Sequence, residues 1–571
     1  MSEILGNPLE VIAIKEPTID INQKKVFAVY KGGANNTYEQ EISSNYSNNT
    51  VSWNINTPSD QTIIDRKIYL KCSIRFVLTG PDLGKYLIET GRDGPRAFPL
   101  TNSMETITIK INGSAISLPL SKIMKALQRY ISREELYDLY SGTAFYPDQA
   151  QTYNELYGAI RNPLAGYNDG IVNATEHRGA FRYTVNSISN VGADITYDFV
   201  EPLFVSPLAF NDKFSNGFIN VKNFSCNIQW KSSLINTMWS RNETDGLFTS
   251  ATVSFESPPQ LLLRYVTPSE LNQLEMPTNS IYSYHELIPN ETNLGPIAPG
   301  ETKTTSNNTL QLSTIPRRFF LDVRKNQNEE SYLIPDSFLK IEAVSITLAN
   351  RSGLLSTATI DDLYNISLKN GCNLTKQQWI GEGMHLLLGG TDTELTGVGS
   401  VLCLNVPEDL TLNGSDYLAP SVADKITFKA QVTYKNIHPT DTYEPILMII
   451  TDTEGIFTIN DGYAQTQTSV ISKEDVFNAK FDTNYDYKSV YELYGGDFFG
   501  DIKQFIKDIP KNIEKGAKFV KTDVLPIVES VMKVLPMLGL GIEEVKGGNL
   551  RIGGAIMSRK ELKNHMLKAL Q

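Results

Sequence analysis

The strongest constraint in this sequence is an alternation of period two. In Lys67-Ile68-Tyr69-Leu70-Lys71-Cys72-Ser73-Ile74-Arg75-Phe76-Val77 every second side chain is apolar. A strand with that pattern buries one face and leaves the other half-wet, so it belongs to a layered β fold. Shorter runs of the same character recur as Val51–Ile55, Thr106–Ile111, Ile228–Trp230, Leu261–Val266, Phe338–Leu348, Val401–Val406, Ile426–Tyr434 and Ile446–Ile450. Asn, Asp, Gly, Ser and Pro separate them. Many such strands with turn signals between them predict sandwiches or barrels. At 571 residues the chain is too long for one ordinary core. Punctuation thickens at Pro258-Pro259, Pro268 and Pro277, which predicts a domain boundary near residue 267. The expected division is an N-terminal arm over 1–44, β domains over 45–266 and 267–488, and a linker and tail over 489–571.

Two helices are expected inside the first β domain. Ile123, Leu127 and Ile131 recur at helical spacing with Ser121 as an N-cap, and a short helix is expected over Arg133–Tyr140. The tail differs from the body. Residues 497–571 carry 13 basic and 9 acidic residues, while the rest carries 39 and 55. An acidic β body therefore leads into a mildly basic tail. A helical stripe of Phe498, Phe499, Ile502, Phe505, Ile506, Ile509 and Ile513 forms a candidate amphipathic face, with Pro510 breaking or kinking it.

The raw material for catalysis is thin. The five histidines, at 177, 285, 385, 438 and 565, and the four cysteines, Cys72, Cys226, Cys372 and Cys403, are well separated. They show no metal-ligand or nucleophile spacing, and the cysteines read as buried free thiols. The carboxylate pairs Asp361-Asp362 and Glu270…Glu275 are expected by chance among 64 acidic residues. The glycine pairs Gly389-Gly390 and Gly547-Gly548 lack a phosphate-loop context. No catalytic residue, metal or cofactor is expected. A net charge of −12 argues against sequence-specific nucleic-acid binding. The N-terminus has no basic region leading into an apolar core, so synthesis in the cytoplasm without a signal peptide is expected.

An ordered set of phrases carries a resemblance. Trp53-Asn54-Ile55-Asn56-Thr57-Pro58-Ser59 leads into Ile63-Ile64-Asp65-Arg66 and a strand ending Phe76-Val77-Leu78-Thr79-Gly80. Arg96–Leu100, Ile109–Gly113, Arg161–Ala165 and Glu201–Leu208 follow, and the second half carries Gln311–Arg318, Asn350–Leu355 and Leu363–Gly371. Over roughly 45–480 this series resembles the major capsid proteins of polinton-like viruses and adintoviruses, with virophages and adenovirus hexon as more distant relatives. The resemblance implies two consecutive eight-stranded jelly-roll sandwiches, a mainly β double jelly roll, followed by a helical C-terminal tail. It implies a non-enzymatic structural protein of an icosahedral double-stranded DNA virion, whose homotrimers form pseudo-hexagonal capsomers. Its partners would be neighbouring capsomers, penton proteins and minor capsid or cement proteins. In that light Asp65-Arg66 reads either as an ion pair at the base of the first jelly roll or as an ordinary strand-entry pair. Pro316-Arg317-Arg318 reads either as a contact to a neighbouring chain or as a solvated strand start.

At the body–tail junction, Leu493-Tyr494-Gly495-Gly496-Asp497 resembles the recognition pattern of adenovirus-type maturation proteases. Met537-Leu538-Gly539-Leu540-Gly541 fits a variant of it. Two further matches, Leu387–Thr391 and Leu395–Gly399, fall inside the second β domain, where strand structure would protect them. The tail reads in two ways. It is an uncleaved internal arm packed under the capsomer, or it is freed by cleavage after Gly496 and contacts a membrane through its apolar stripe. The competing reading of the whole chain is a β-sandwich carbohydrate-binding or glycoside-processing protein. That reading needs a secretory route or a cleft of carboxylates and aromatics, and the sequence offers neither.

Overall fold

A computed structural model describes residues 35–479, apart from 84–93, 132–181, 210–216, 269–278 and shorter breaks, together with three short strands between 542 and 558. The helix expected over Arg133–Tyr140 and the phrase Arg161–Ala165 lie outside the described residues.

The strands of the first half are β1 (Asn35–Ile42), β2 (Asn45–Tyr46), β3 (Thr50–Asn56), β4 (Ile63–Ile64), β5 (Tyr69–Thr79), β6 (Gly94–Pro95) and β7 (Met104–Ile111). They continue with β8 (Ser114–Leu118), β9 (Arg182–Ile188), β10 (Gly192–Pro202), β11 (Asn223–Trp230), β12 (Trp239–Ser240), β13 (Ser250–Phe255) and β14 (Gln260–Thr267). One sheet runs β1-β14-β5-β10-β9, with β13 also on β5 and β4 on β14; the other runs β2-β3-β11-β7-β8. The alternation that opens the sequence is realised on β5: Leu70, Cys72, Ile74, Phe76 and Leu78 are buried and their neighbours are not. From the facing sheet Val51, Trp53, Ile55, Ile107, Ile109, Cys226 and Ile228 are also buried. β1 lies within the stretch expected as an arm, yet it pairs with β14 and, among the described strands, ends the first sheet.

The second half repeats the plan with β15 (Asn279–Asn293), β16 (Thr302–Ser306), β17 (Leu310–Thr314), β18 (Arg318–Lys325), β19 (Lys340–Leu348) and β20 (Arg351–Leu354). β21 (Met384–Leu388), β22 (Thr391–Leu395), β23 (Val401–Asn405), β24 (Ala423–Lys435), β25 (Pro445–Asn460) and β26 (Tyr463–Thr468) complete it. One sheet runs β15-β25-β18-β23 with β26 on β25; the other runs β16-β24-β19-β20 with β17 on β24. Phe319 and Phe428 stack across the core with ring centroids 3.9 Å apart. All named strand pairs are antiparallel. β18 and the first half of β25 are buried on both faces. A sheet covered on both sides reads as an unbroken apolar run, as Ile446–Ile450 does. Both sandwiches belong to one compact unit ending at Phe477.

Two expectations are corrected. The helix expected around Ile123 spans Leu120–Leu127, and its N-cap position is Pro119, without a side-chain cap. Ser121 lies inside the first turn and is buried. Proline fixes the entry there, because its missing N–H is one a helix start leaves unpaired anyway. The tail is not wholly helical. Ile542–Val545, Asn549–Ile552 and Ala555–Ser558 form an antiparallel three-stranded sheet in the second compact unit. Gly547-Gly548 and Gly553-Gly554 fall between these short runs, and glycine pairs suit tight hairpin loops that helices do not tolerate.

Candidate functional site: the seam between the two sandwiches

The first sandwich contributes the helix Leu120–Leu127 and the turn after it. Leu120, Ile123, Met124, Ala126 and Leu127 are buried, while Lys122 and Lys125 are less so. The second sandwich contributes the outer face of its β15-β25-β18-β23 sheet. Alternation along β18 sends Phe319, Leu321 and Val323 one way and Arg318, Phe320, Asp322 and Arg324 the other. The register places Arg318 opposite Asp452, Phe320 opposite Ile450, and Asp322 opposite Met448. That second face is therefore a stripe of charges with an aromatic centre, and it lies against the first sandwich.

Polar contacts secure the seam at one end. Glu330 lies 2.5 Å from Lys125 Nζ and 2.5 Å from Lys231 Nζ, both on the first sandwich. The Tyr332 hydroxyl accepts from the Phe248 N–H at 2.9 Å, and the two rings pack with centroids 4.6 Å apart. Arg241 N–H donates to the Tyr332 carbonyl at 2.7 Å. Arg96 spans the seam, with Nη2 donating to the Ser331 carbonyl at 2.7 Å and Nε to the Trp239 carbonyl at 2.8 Å.

The middle is aromatic. Tyr130 packs on Phe320 with centroids 5.2 Å apart, and its hydroxyl donates to the Val401 carbonyl at 2.6 Å. The guanidinium groups of Arg129 and Arg324 lie 5.0 and 5.4 Å from the centre of the Phe338 ring. Arg324 also forks onto Asp322 and donates to the Lys122 carbonyl at 2.7 Å. Asn373 donates through Nδ2 to the Gln128 and Ile131 carbonyls, at 3.0 and 2.9 Å, and through its backbone N–H to the Arg129 carbonyl at 2.8 Å.

The other end centres on Arg66. It is buried, donates through Nε and Nη2 to the Pro207 carbonyl at 2.8 and 2.6 Å, and lies over the rings of Phe218 and Tyr282. Tyr282 belongs to the second sandwich; its hydroxyl donates to the Gly217 carbonyl at 3.1 Å and accepts from the Ile219 N–H at 2.9 Å. The His285 N–H donates to Ser206 Oγ at 2.8 Å, and its Nδ1 lies 2.9 Å from Asp452 Oδ1.

Electrostatics follow from burial and partners. Burial pushes Glu330 upward, but the ammonium groups of Lys125 and Lys231 outweigh it and hold the carboxyl below its ordinary range. Asp452 is fully buried, yet His285 and Arg318 hold it far below the ordinary range. Glu201 behaves differently. It accepts from the N–H groups of Leu100 and Thr101 and from the Thr101 hydroxyl, but burial pushes it up to about 7. No thiol is reactive: all four cysteines are free and buried, and burial raises each thiol pKa.

The residues singled out in the sequence fall as follows. Asp65 pairs with Arg264 at 3.3 Å, and Arg66 turns into the seam, so they do not form the anticipated mutual pair. Arg317 pairs with Glu454, and Arg318 with Asp452 at 2.8 Å, so both arginines are engaged within the chain. Asp362 caps its own helix by accepting from the Thr359 N–H and hydroxyl. Leu387–Thr391 lies on the β21–β22 hairpin, in which Leu388 pairs with Thr391. The cleavage candidates Leu493, Gly495, Gly496, Asp497, Met537, Gly539, Leu540 and Gly541 lie outside the described residues. So do the amphipathic candidates Phe498, Phe499, Ile502, Phe505, Ile506, Ile509 and Ile513. Among the described residues, no group of three His, Cys, Asp or Glu is placed to hold a metal. The sequence reading missed Glu330, Tyr332, Asn373 and Arg129. One signal was present: Asp322, Arg324 and Asp452 interrupt otherwise apolar strands, and charges in such runs mark a face covered by another polar surface.

Two antiparallel sandwiches in one chain, joined along a shared seam, define a double jelly-roll fold. Residues 8–264 match the family described as Sputnik virophage major capsid protein 1st domain, and 284–455 match the major capsid protein V20 C-terminal domain. A Sputnik virophage chain described as capsid protein V20 is 28% identical over 98% of this chain and 99% of its own. The structure of the Sputnik virophage superposes with a TM-score of 0.73 at 27% identity, over 85% of this chain and 99% of that one. The mavirus major capsid protein superposes at 0.66 with 14% identity, over 78% and 93%. Across both sandwiches the chain is similar to the double jelly-roll major capsid proteins of virophages.

Proposed function

We propose that three copies of this chain close into a pseudo-hexagonal capsomer, and that these capsomers tile an icosahedral shell around double-stranded DNA. The observation that carries the reading is the seam. Two similar sandwiches held side by side give each copy two pillars, and three copies give six. A closed threefold ring needs heterologous contacts between neighbours, so each copy must present a fixed pair of unlike faces. The domain division at residue 267, the penton and minor capsid partners, and a purely structural role without catalysis belong to the same proposal. Negative-stain microscopy with a mass measurement in solution tests it: six-lobed particles of three chains support it, and dispersed monomers overturn it. Glycosidase activity in those monomers would revive the carbohydrate reading.

The tail proposal is separate. Cleavage after Gly496 by an adenovirus-type maturation protease would free 497–571, whose stripe from Phe498 to Ile513 would contact a membrane. Mass spectrometry of particles tests cleavage, and an intact chain ending at Gln571 refutes it. A synthetic 497–540 peptide that leaves dye-loaded liposomes intact refutes the membrane role.

A further inference from the structure

The two sandwiches share one strand order. β1-β14-β5-β10 in the first corresponds strand for strand to β15-β25-β18-β23 in the second, and β3-β11-β7-β8 corresponds to β16-β24-β19-β20. Each sandwich also leads from the corresponding strand into a helix: Leu120–Leu127 follows β8, and Ile360–Lys369 follows β20. Within the chain, the first of these helices is docked on the second sandwich. Its Lys122 carbonyl accepts from Arg324 on β18, Lys122 Nζ lies 3.1 Å from Glu291 on β15, and Lys125 reaches Glu330. Six of its eight residues are buried.

The corresponding surfaces on the other side of each sandwich are less covered. Tyr69 at the start of β5 lies opposite Pro202, the last residue of β10, as Arg318 at the start of β18 lies opposite Asn405, the last of β23. Counted from there, Lys71, Ser73 and Arg75 correspond to Phe320, Asp322 and Arg324. Arg75 forks onto Asp194 at 2.9 and 2.6 Å, as Arg324 forks onto Asp322. Phe320, Asp322 and Arg324 are buried under the first sandwich, whereas Lys71, Ser73 and Arg75 are half-exposed. Helix Ile360–Lys369 buries only Leu363 and Ser367, and Leu368 keeps 49% of its surface.

The charges match with opposite sense. Lys122 and Lys125 on the first helix meet Glu291 and Glu330. The second helix opens with Asp361 and Asp362, and β5 carries Lys71. The acids beside Lys71 are engaged, Asp194 by Arg75 and Asp198 by the Ser73 hydroxyl. Reversing the sense of the pair keeps each helix off the wrong sandwich.

We propose that the outer face of β5 and β10 is the docking surface for a second copy of this chain, which places helix Ile360–Lys369 there as helix Leu120–Leu127 is placed on β15 and β18 within one copy. This rests on the three-copy ring proposed above. A ring of six pillars alternates contacts within and between chains, and the contact between chains joins the second sandwich of one copy to the first of the next.

Two measurements on the full chain test the assignment. In the first, Leu368→benzoylphenylalanine is photolysed in isolated capsomers made from mixed light and heavy-isotope-labelled chains. The crosslinked peptides should come from residues 67–77, 194–200 or 260–264 and should join light to heavy chains. Crosslinks within one chain, or to another face of the neighbour, overturn the assignment while leaving the ring in place. Particles that remain monomers overturn the ring and this contact with it. In the second, Lys71→Glu should raise the chain concentration for half-assembly by at least about tenfold, because it sets like charges against Asp361 and Asp362. Its melting temperature should match the parent's, since position 71 lies outside the core. Lys110→Glu, on the exposed side of the other sheet, should shift half-assembly by less than about twofold. Equal shifts for the two variants overturn the choice of face.

Discussion

Glu330→Gln is the most informative perturbation of the seam. The carboxylate bridges Lys125 and Lys231, and these three side chains are only 11–13% exposed. The substitution keeps the shape and replaces the carboxylate that both ammonium groups share with a neutral amide. Removing one partner of a buried ion pair costs about 3–5 kcal/mol, mostly because the remaining charge is desolvated. Residual exposure lets water reach both lysines, so about 3 kcal/mol is expected. The assay is urea unfolding at fixed chain concentration, following Trp379 in the second sandwich against the tryptophans of the first. The variant should unfold at lower urea and lose the coincidence of the two signals, because the lost contact joins the sandwiches. The control replaces the whole cluster, K125M/K231M/E330L, and should recover to within about 1.5 kcal/mol of the parent, since an apolar cluster of similar volume carries no stranded charge. The pH dependence has a fixed sign. Glu330 sits below its unfolded value, so its contribution is complete above about pH 4.5 and fades as pH falls through its folded value. A loss under about 1 kcal/mol for Glu330→Gln, or a cluster replacement as damaging as the single change, would refute the reasoning.

Other consequences can be checked on the same protein. Arg66→Lys keeps the charge but loses the paired Nε and Nη2 donors and the planar contact with Phe218 and Tyr282; about 1–3 kcal/mol of stability should disappear in denaturant titration. Gly399→Ala should cost about 3 kcal/mol or more, because the residue has φ of +88° and a β-carbon there would meet the Phe338 carbonyl. The variant is expected to show a lower melting temperature or to accumulate as insoluble protein. His438 is buried, and burial pushes it down to about 4 despite Asp441 beside it, while Lys325 adds to the depression. Its contribution is complete above about pH 6.5 and declines as pH falls toward 4. His438→Gln should flatten that limb of the stability profile, worth about 3 kcal/mol at most.

The sequence revealed the fold where burial is one-sided. β5 and β10 alternate in the sequence and alternate in the structure, because one face meets the core and the other meets solvent or a polar neighbour. It concealed the seam for the converse reason. β18 and β25 are covered on both faces, so their apolar runs carry no sign of which face meets the other sandwich. Only the charges Asp322, Arg324 and Asp452 betray that face, and their partners include groups 134 to 202 residues away, from Arg318 for Asp452 to Lys122 for Arg324. Local patterns cannot encode such pairings. Asp65-Arg66 shows the same limit: adjacency suggested a pair, but in the bend between β4 and β5 the two side chains take different partners, Arg264 and the Pro207 carbonyl. In the tail, the helical stripe predicted a helical character that the short strands at Ile542–Val545, Asn549–Ile552 and Ala555–Ser558 do not share.

The arrangement of the seam bears on how a two-sandwich chain works as a building block. Apolar burial is non-directional, so an interface made only of Tyr130, Phe320 and their neighbours would resist separation but tolerate rotation. Directional contacts sit at both ends: Glu330 with two lysines and Arg96 with two carbonyls at one, Arg66 with the Pro207 carbonyl and Tyr282 with Gly217 and Ile219 at the other. Two separated directional clusters fix an angle that one cannot. Releasing one end should leave the angle nearly intact, whereas releasing both should free a hinge about the aromatic middle. The double variant E330Q/R66K should therefore remain folded under strongly native conditions, yet lose more capsomer assembly than the two single variants combined. Particle mass in solution measures the assembly, and amide exchange at Phe248, whose N–H donates to the Tyr332 hydroxyl, and at Ile219 measures the release of each end. If both ends exchange freely while trimers form as in the parent, the sandwiches need no fixed angle to assemble, and the seam serves stability alone.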